Sequence, residues 1–298
     1  MTVFRFISNS LRYFRRQHLA VFAATVIAAA ALTGALIIGD SVRYSLKRTV
    51  GERLGKTRMA VVSGSRFIRA RLAHDLESAT GTKAAPVLLL NGIAINPQTA
   101  ERFNTVQVLG IDPAFRDFAP GPQPAIGPGE ALVSLNVAQR LKLVNGDQFL
   151  LRIEKTGLIP VNVIYSRDEG TSLALRLTVA GIAGDSALGK FSLRNNQAAP
   201  GNIFISREFL AQQMELDSLV NLILVADSPA GVSLETQVRS VLKKHWELRD
   251  ASLRITVEGE TGIFDLTSNR IFIDDTVSSL ITKLQVPHKK ILTYLVNR

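Results

Sequence analysis

Residues Leu19–Ile38 read LAVFAATVIAAAALTGALII, twenty positions with no charge and only Thr25 and Thr33 as hydroxyl-bearing groups. A 20-residue helix is ~30 Å long at 1.5 Å per residue, the thickness of a hydrocarbon core. The apolar core of a secretory signal is shorter, about 7–15 residues. The stretch therefore reads as a retained transmembrane helix rather than a cleaved leader or a buried soluble helix. Eight of the twenty residues are alanine, so the span is adequate rather than strongly self-inserting. Ala20, Ala24 and Ala28, then Ala31, Ala35 and Gly39, recur at four-residue spacing. Small residues at that spacing let helix backbones approach closely in a bilayer, so these six form the expected packing face toward other spans.

Outward on the N-terminal side, residues 1–18 place Phe4, Ile7, Leu11 and Phe14 on one helical stripe among Arg5, Arg12, Arg15 and Arg16. That pattern predicts a short amphipathic helix in the membrane interface. On the C-terminal side, Val42, Leu46, Val50 and Leu54 repeat every four residues with charges between them. Residues 39–58 are expected to carry the membrane helix onward as a stalk whose apolar stripe needs something to pack on.

Charge follows the same division. The chain has 298 residues, a net charge of +10 and no cysteine. Residues 1–71 hold thirteen Lys/Arg against Asp40 and Glu52, whereas the remainder is balanced. Positive charge beside an apolar segment marks a membrane border. Nucleic-acid binding needs a basic, aromatic-bearing folded face instead, and it is not expected here. Four arginines precede the span and six Lys/Arg follow it within residues 39–58. A naive positive-inside count leaves the large domain in the cytoplasm, but the rule weakens when a long domain follows, so charge alone does not set topology.

From residue 59 the pattern changes to short strands and helices. Strands are expected at RMAVVSGS, at Ala85–Ile95 as one bent strand or a pair, and at Thr105–Asp112; a helix is expected over Ser65–Ser78. Pro113–Gly129, with five prolines and three glycines, reads as a loop. Gly129–Ser134 is a buried strand, LNVAQRLKL a helix, Asn145-Gly146-Asp147 a turn, and QFLLRIE a strand. Ser172–Gly184 is the strongest strand pattern. NIFISREFLAQQM runs from strand to helix with Ser206 as N-cap. LVNLILVAD is a strand, VSLETQVRSVLKKHW an amphipathic helix and SLRITVEGE a strand. The irregular alternation predicts an α+β fold with mixed sheets over residues 59–270. Residues 66–96 and 270–297 share a helix, loop, strand order, which makes residues 271–298 the expected start of a second, incomplete unit.

Chemistry is sparse. Gly184–Lys190 fits seven positions of a P-loop, but Phe191 stands where a hydroxyl must bind magnesium, so the match is read as chance and the segment as a flexible loop. His18, His74, His245 and His288 are scattered at no metal-ligand spacing and read as surface residues. Ser63 and Ser65 flank Gly64 without forming a nucleophile elbow. Glu258 and Glu260 fall on one face of a strand and read as exposed charges. No catalytic residue, metal or cofactor is expected, and the chain is not expected to be an enzyme.

Several segments together resemble the FtsX/MacB-type permeases of ABC transporters. The opening LRYFRRQHLAVFAATVIAAAALTGALIIGDSVRYSLKRTVGERLG is similar to their first transmembrane helix and stalk. VQVLGIDPAF, GEALVSLNVAQRLKLVNGDQFLLRI, LTVAGIAGD, NIFISREFLAQQ and LVNLILVAD follow the order and spacing of their extracytoplasmic core domain. The resemblance implies a bacterial inner (cytoplasmic) membrane location, with the N-terminus inside and the large domain outside. It implies membrane lipid, a cytoplasmic ABC ATPase subunit, and other permease helices or a second permease copy as partners. ATP-driven motion of membrane helices would be relayed to the outer domain for export or mechanotransmission. Family members carry at least three more spans after this domain, so on this reading the chain is an N-terminal portion. The alternatives are a complete single-span envelope protein that binds a ligand or partner, and an exported hydrolase.

Overall fold

The computed structural model describes residues 3–64, 66–154, 172–194, 198–227, 233–258, 263–268, 273, 275–284, 287–289 and 291. It divides into two compact units, Met1–Glu52 and Arg53–Arg298.

The first unit is helical. Helix α1 spans Val3–Tyr13 and α2 spans Arg15–Leu54. They are separated at Phe14, whose N–H donates to Ser10 O at 3.0 Å and whose carbonyl accepts from His18 N at 3.0 Å. Helix α2 therefore carries the apolar span and the charged stripe as one 40-residue element, ~60 Å long. Asp40 and Ser41 introduce no break. Helix α2 ends at Leu54 because Gly55 takes a left-handed conformation, φ +54°, the usual way a glycine terminates a helix.

The first strand of the second unit, β1 (Thr57–Val62), starts one residue earlier than the sequence pattern placed it. Its other strands are β2 (Ile68–Arg69), β3 (Ala84–Ile95), β4 (Arg102–Ile111), β5 (Glu130–Ser134), β6 (Gln148–Glu154), β7 (Ser172–Ala183), β8 (Gly201–Ser206), β9 (Leu219–Val220), β10 (Leu222–Ala226), β11 (Leu253–Glu258) and β12 (Ile263–Ser268). Its helices are α3 (Arg71–Thr80), α4 (Leu135–Leu141), α5 (Arg207–Gln213), α6 (Leu234–His245) and α7 (Asp275–Lys283). The architecture is α+β with a mixed sheet, as the alternation of elements implied.

Strand β3 organises the sheet. Its first half pairs with β10 on one edge, its second half pairs with β6 on that same side, and β4 lies along the other edge. The pairings β3–β4, β4–β8, β8–β5, β5–β7, β7–β6 and β6–β3 close a ring of six strands, from which β10 and β1 extend. The β4–β8 and β5–β7 pairs are parallel and the other ring pairs antiparallel. Closure leaves those strands without an open edge, which removes a route to aggregation.

Period-two alternation sets which side chains enter the core. On β6, Phe149, Leu151 and Ile153 are fully buried while Gln148, Arg152 and Glu154 face out. They join Leu88, Val106, Val108, Val133, Leu175, Leu177, Ile203 and Ile205 in one core, with Val137 and Leu141 of α4 and Leu210 of α5. Phe204, the residue between Ile203 and Ile205, joins a second core with Leu109, Phe115, Phe118, Leu188, Phe191 and Leu222. A third gathers Leu72 and Leu76 of α3, Ile223 and Val225 of β10, and Val238 and Val241 of α6.

Several local expectations change. Ser65–Ser78 is not one helix: Ile68–Arg69 pairs with Val220 and Leu219, and α3 starts only at Arg71. Burying Ile68 completely against that short ladder outweighs its helical spacing. Pro113–Phe118 is a 3₁₀ turn, begun by the Asp112 carboxylate accepting from Ala114 N at 3.1 Å, and its Phe115 and Phe118 are core residues. Ser206 holds the N-cap position of α5, yet its side chain makes no capping hydrogen bond. Ala85–Ile95 resolves as one strand with an irregularity between Gly92 and Ala94. Of the proposed second unit, α7 is described, whereas residues 292–298 fall outside the described residues.

Candidate functional site

Within the first unit, α2 places its small residues along one line. At 100° per residue, Ala20, Ala24, Ala28, Ala31, Ala35 and Gly39 fall within an arc of about 100°. Val42, Leu46, Val50 and Leu54 continue that line, drifting about 40° at each four-residue step. The same side of the helix is thus smooth in the apolar half and branched-aliphatic in the charged half. All of these side chains are exposed except Leu54, which is half-buried. A Cβ at Gly34 or Gly39 would meet nothing within 4 Å. The helix is long and apolar enough to cross a membrane, and none of its apolar window is buried within the protein. Thr25, a hydroxyl inside that window, donates to Val21 O at 2.9 Å, so in a bilayer it would leave no unsatisfied polar group. In the charged half, Arg48 pairs with Glu52 one turn on at 2.9 Å, an i,i+4 contact of modest worth in water.

The second unit holds its polar groups in structural networks. Asp250 is fully buried. Its carboxylate accepts from Arg69 N at 2.9 Å, Arg69 Nε at 3.1 Å, Arg69 Nη2 at 2.8 Å and Glu247 N at 3.0 Å. Arg69 also donates to His245 O at 2.8 Å and to the Glu247 carboxylate. This knot ties β2 to the turn after α6. The 181-residue separation of Arg69 and Asp250 explains why sequence spacing does not reveal it. Burial pushes the Asp250 carboxyl up, but the Arg69 and Glu247 hydrogen bonds and the guanidinium charge outweigh burial, so it sits below the ordinary aspartate value. Arg69 is correspondingly held above its own, chiefly by the Asp250 hydrogen bond.

The sign of the pH effect follows. A carboxyl with a depressed folded value stabilises the fold above its unfolded pKa of about 3.9 and loses that contribution as pH falls through the folded value. The urea midpoint is therefore expected to drop between pH 5 and pH 2 more steeply in the native sequence than in Asp250→Asn. Equal slopes would remove Asp250 from the acid response. Asp112 shifts the other way: burial raises it, against the opposing charge of Arg207 at 3.7 Å.

The segment that matches seven P-loop positions is a packed turn and not a flexible loop. Leu188 and Phe191 are buried. A Cβ at Gly189 would lie 2.2 Å from Ala183 O, so glycine is there for close backbone approach. Asn202 Nδ2 donates to Gly189 O at 3.1 Å and Phe191 O at 2.9 Å, and Asn202 N donates to Ser134 Oγ at 2.8 Å. Lys190, where a P-loop would aim its lysine at phosphate, pairs with Asp185 at 2.8 Å. Asn221 interrupts the expected strand Leu219–Asp227: its amide accepts from Leu89 N at 2.8 Å and donates to Leu89 O at 2.7 Å, imitating a strand neighbour.

His245 Nδ1 lies 3.7 Å from Asp75 Oδ2, and among the described residues no three His, Asp or Glu side chains converge on one point. Ser63 donates to Arg66 O at 2.7 Å and to Asn221 O at 3.0 Å, a structural role. Glu260 lies outside the described residues.

No protein-family model matches the chain, and no curated protein matches it significantly. Among solved structures, it is similar to the periplasmic region of MacB from Actinobacillus actinomycetemcomitans. That match has 12% identity and a TM-score of 0.43, and covers 77% of this chain and 94% of the other. It is also similar to the extracellular domain of the noncanonic ABC-type transporter YknZ from Gram-positive bacteria. There the identity is 9% and the TM-score 0.40, with 72% of this chain and 97% of the other covered.

Proposed function

We propose that this chain is the N-terminal part of an ABC transporter permease of the FtsX/MacB type, anchored in the cytoplasmic membrane by Leu19–Ile38 with its α+β unit outside. The observation that carries this reading is α2 itself. One unbroken helix runs from an uncharged span into a charged stalk, and a single line of small then branched residues follows its length. A lone anchor needs no such line. A helix that packs on other spans and transmits their movement does. The order of segments that follows the stalk supports the same family. On this reading ATP hydrolysis belongs to a separate cytoplasmic subunit, the chain has no catalytic residue, and its work is mechanical: motion of membrane helices reaches the outer domain through the stalk.

Photo-crosslinking in cells tests this. A crosslinker at Ala24, on the small-residue line, is expected to capture another transmembrane helix of a permease assembly. One at Ala29, about 140° around the helix from Ala24, is expected to capture lipid only. Capture of lipid from both positions would reduce α2 to a simple anchor and favour a single-span binding protein.

A further inference from the structure

We propose that α1 is an interfacial helix selective for anionic phospholipid, which fixes the depth and rotation of the span that follows it. The inference rests on Leu19–Ile38 being a membrane span.

At 100° per residue, Val3, Phe4, Ile7, Leu11 and Phe14 occupy an arc of about 100°, while Arg5 and Arg12 fall on the opposite side. The apolar arc is uncovered: Phe4 is 84% exposed, Ile7 51%, Leu11 52% and Phe14 44%. An 11-residue helix is marginal in water on its own, so this one needs a surface to lie on. The position of α1 and its charge both identify that surface. Helix α1 ends one residue before α2, and its last residue lies six positions before Leu19, within the headgroup zone of any bilayer the span crosses. The first 39 residues carry Arg5, Arg12, Arg15 and Arg16 and no acidic residue. An apolar arc inserted at the headgroup boundary, with arginines toward the headgroups, is matched by lipid phosphate carrying net negative charge. Each such basic residue near an anionic leaflet favours the bound state by roughly fivefold.

Amide hydrogen exchange on the full chain in nanodiscs tests this. One set contains phosphatidylcholine alone, the other equal parts of phosphatidylcholine and phosphatidylglycerol. The amides of residues 3–13 are expected to exchange about tenfold more slowly in the anionic discs. The Arg5→Gln/Arg12→Gln double variant is expected to lose most of that difference while the amides of residues 19–38 stay protected. Equal protection in both lipids would overturn the proposal and leave the span intact. So would protection that appears only when a transporter ATPase is added, because the occupant would then be a protein. A chain that fails to enter either disc would remove the span, and this inference with it.

Discussion

Replacing Ala29 by aspartate is expected to abolish membrane insertion. Ala29 stands near the middle of Leu19–Ile38 and about 80° beyond the edge of the small-residue arc, so the substitution leaves those six residues in place. A carboxylate at the centre of a span costs about 2.5–3.5 kcal/mol on insertion scales, roughly a 70- to 400-fold shift. A Leu-rich span would tolerate that. This one draws eight of twenty positions from alanine, which adds little to insertion, so the penalty is decisive. Carbonate extraction should release the variant while retaining the parent. The control is Ala29→Leu, which should be retained at least as well as the parent. Retention of Ala29→Asp would mean that the apolar stretch is not what holds the protein in the membrane.

The second large effect lies in the α+β unit. Asp250→Asn is expected to destabilise the second unit by about 3 kcal/mol, the lower end of what breaking a buried ion pair costs. The lower end applies because the Arg69 side chain keeps 16% of its exposure, so water partly compensates the guanidinium left behind. Arg69→Met is expected to cost more, because Asp250 has no exposure at all. Its remaining support would be the backbone N–H groups of Arg69 and Glu247. The double variant Arg69→Met/Asp250→Leu should recover most of the loss, since an apolar pair of similar volume often substitutes for a buried ion pair without penalty. Trp246 is the chain's single tryptophan and directly precedes Glu247, whose N–H donates to Asp250, so its fluorescence reports urea unfolding where the knot lies. Additive losses in the double variant would show that Arg69 and Asp250 do not act as a pair.

Much of this molecule was legible in its sequence because the signals were local. Leu19–Ile38 carries its own length and lack of charge. QFLLRIE and SLALRLTVAGIA carry their own alternation, and Asn145-Gly146-Asp147 announces a turn. The failures were set by partners distant in sequence. Phe67 and Ile68 have helical spacing with Leu72 and Leu76, yet Ile68 is taken by Val220, more than 150 residues on. The run through LVNLILVAD reads as one strand until the Asn221 amide is seen bonded to Leu89. The closure of β6 onto β3 has no sequence mark, because strand order in a mixed sheet is not encoded by any single strand. The Gly184–Lys190 segment shows the converse: a motif fitted by residue type dissolves once its glycine and lysine are seen serving a turn.

The absence of cysteine makes one measurement decisive for the membrane placement. Single cysteines at Ser10, Ala28 and Ser45, probed in intact cells stripped of any outer membrane, report side and depth with a membrane-impermeant maleimide. Labelling is expected at Ser45 from outside, not at Ala28 before detergent is added, and at Ser10 only after the membrane is opened. Labelling of Ala28 in intact membranes would contradict the span. Labelling of Ser10 but not Ser45 from outside would contradict the external placement of the α+β unit.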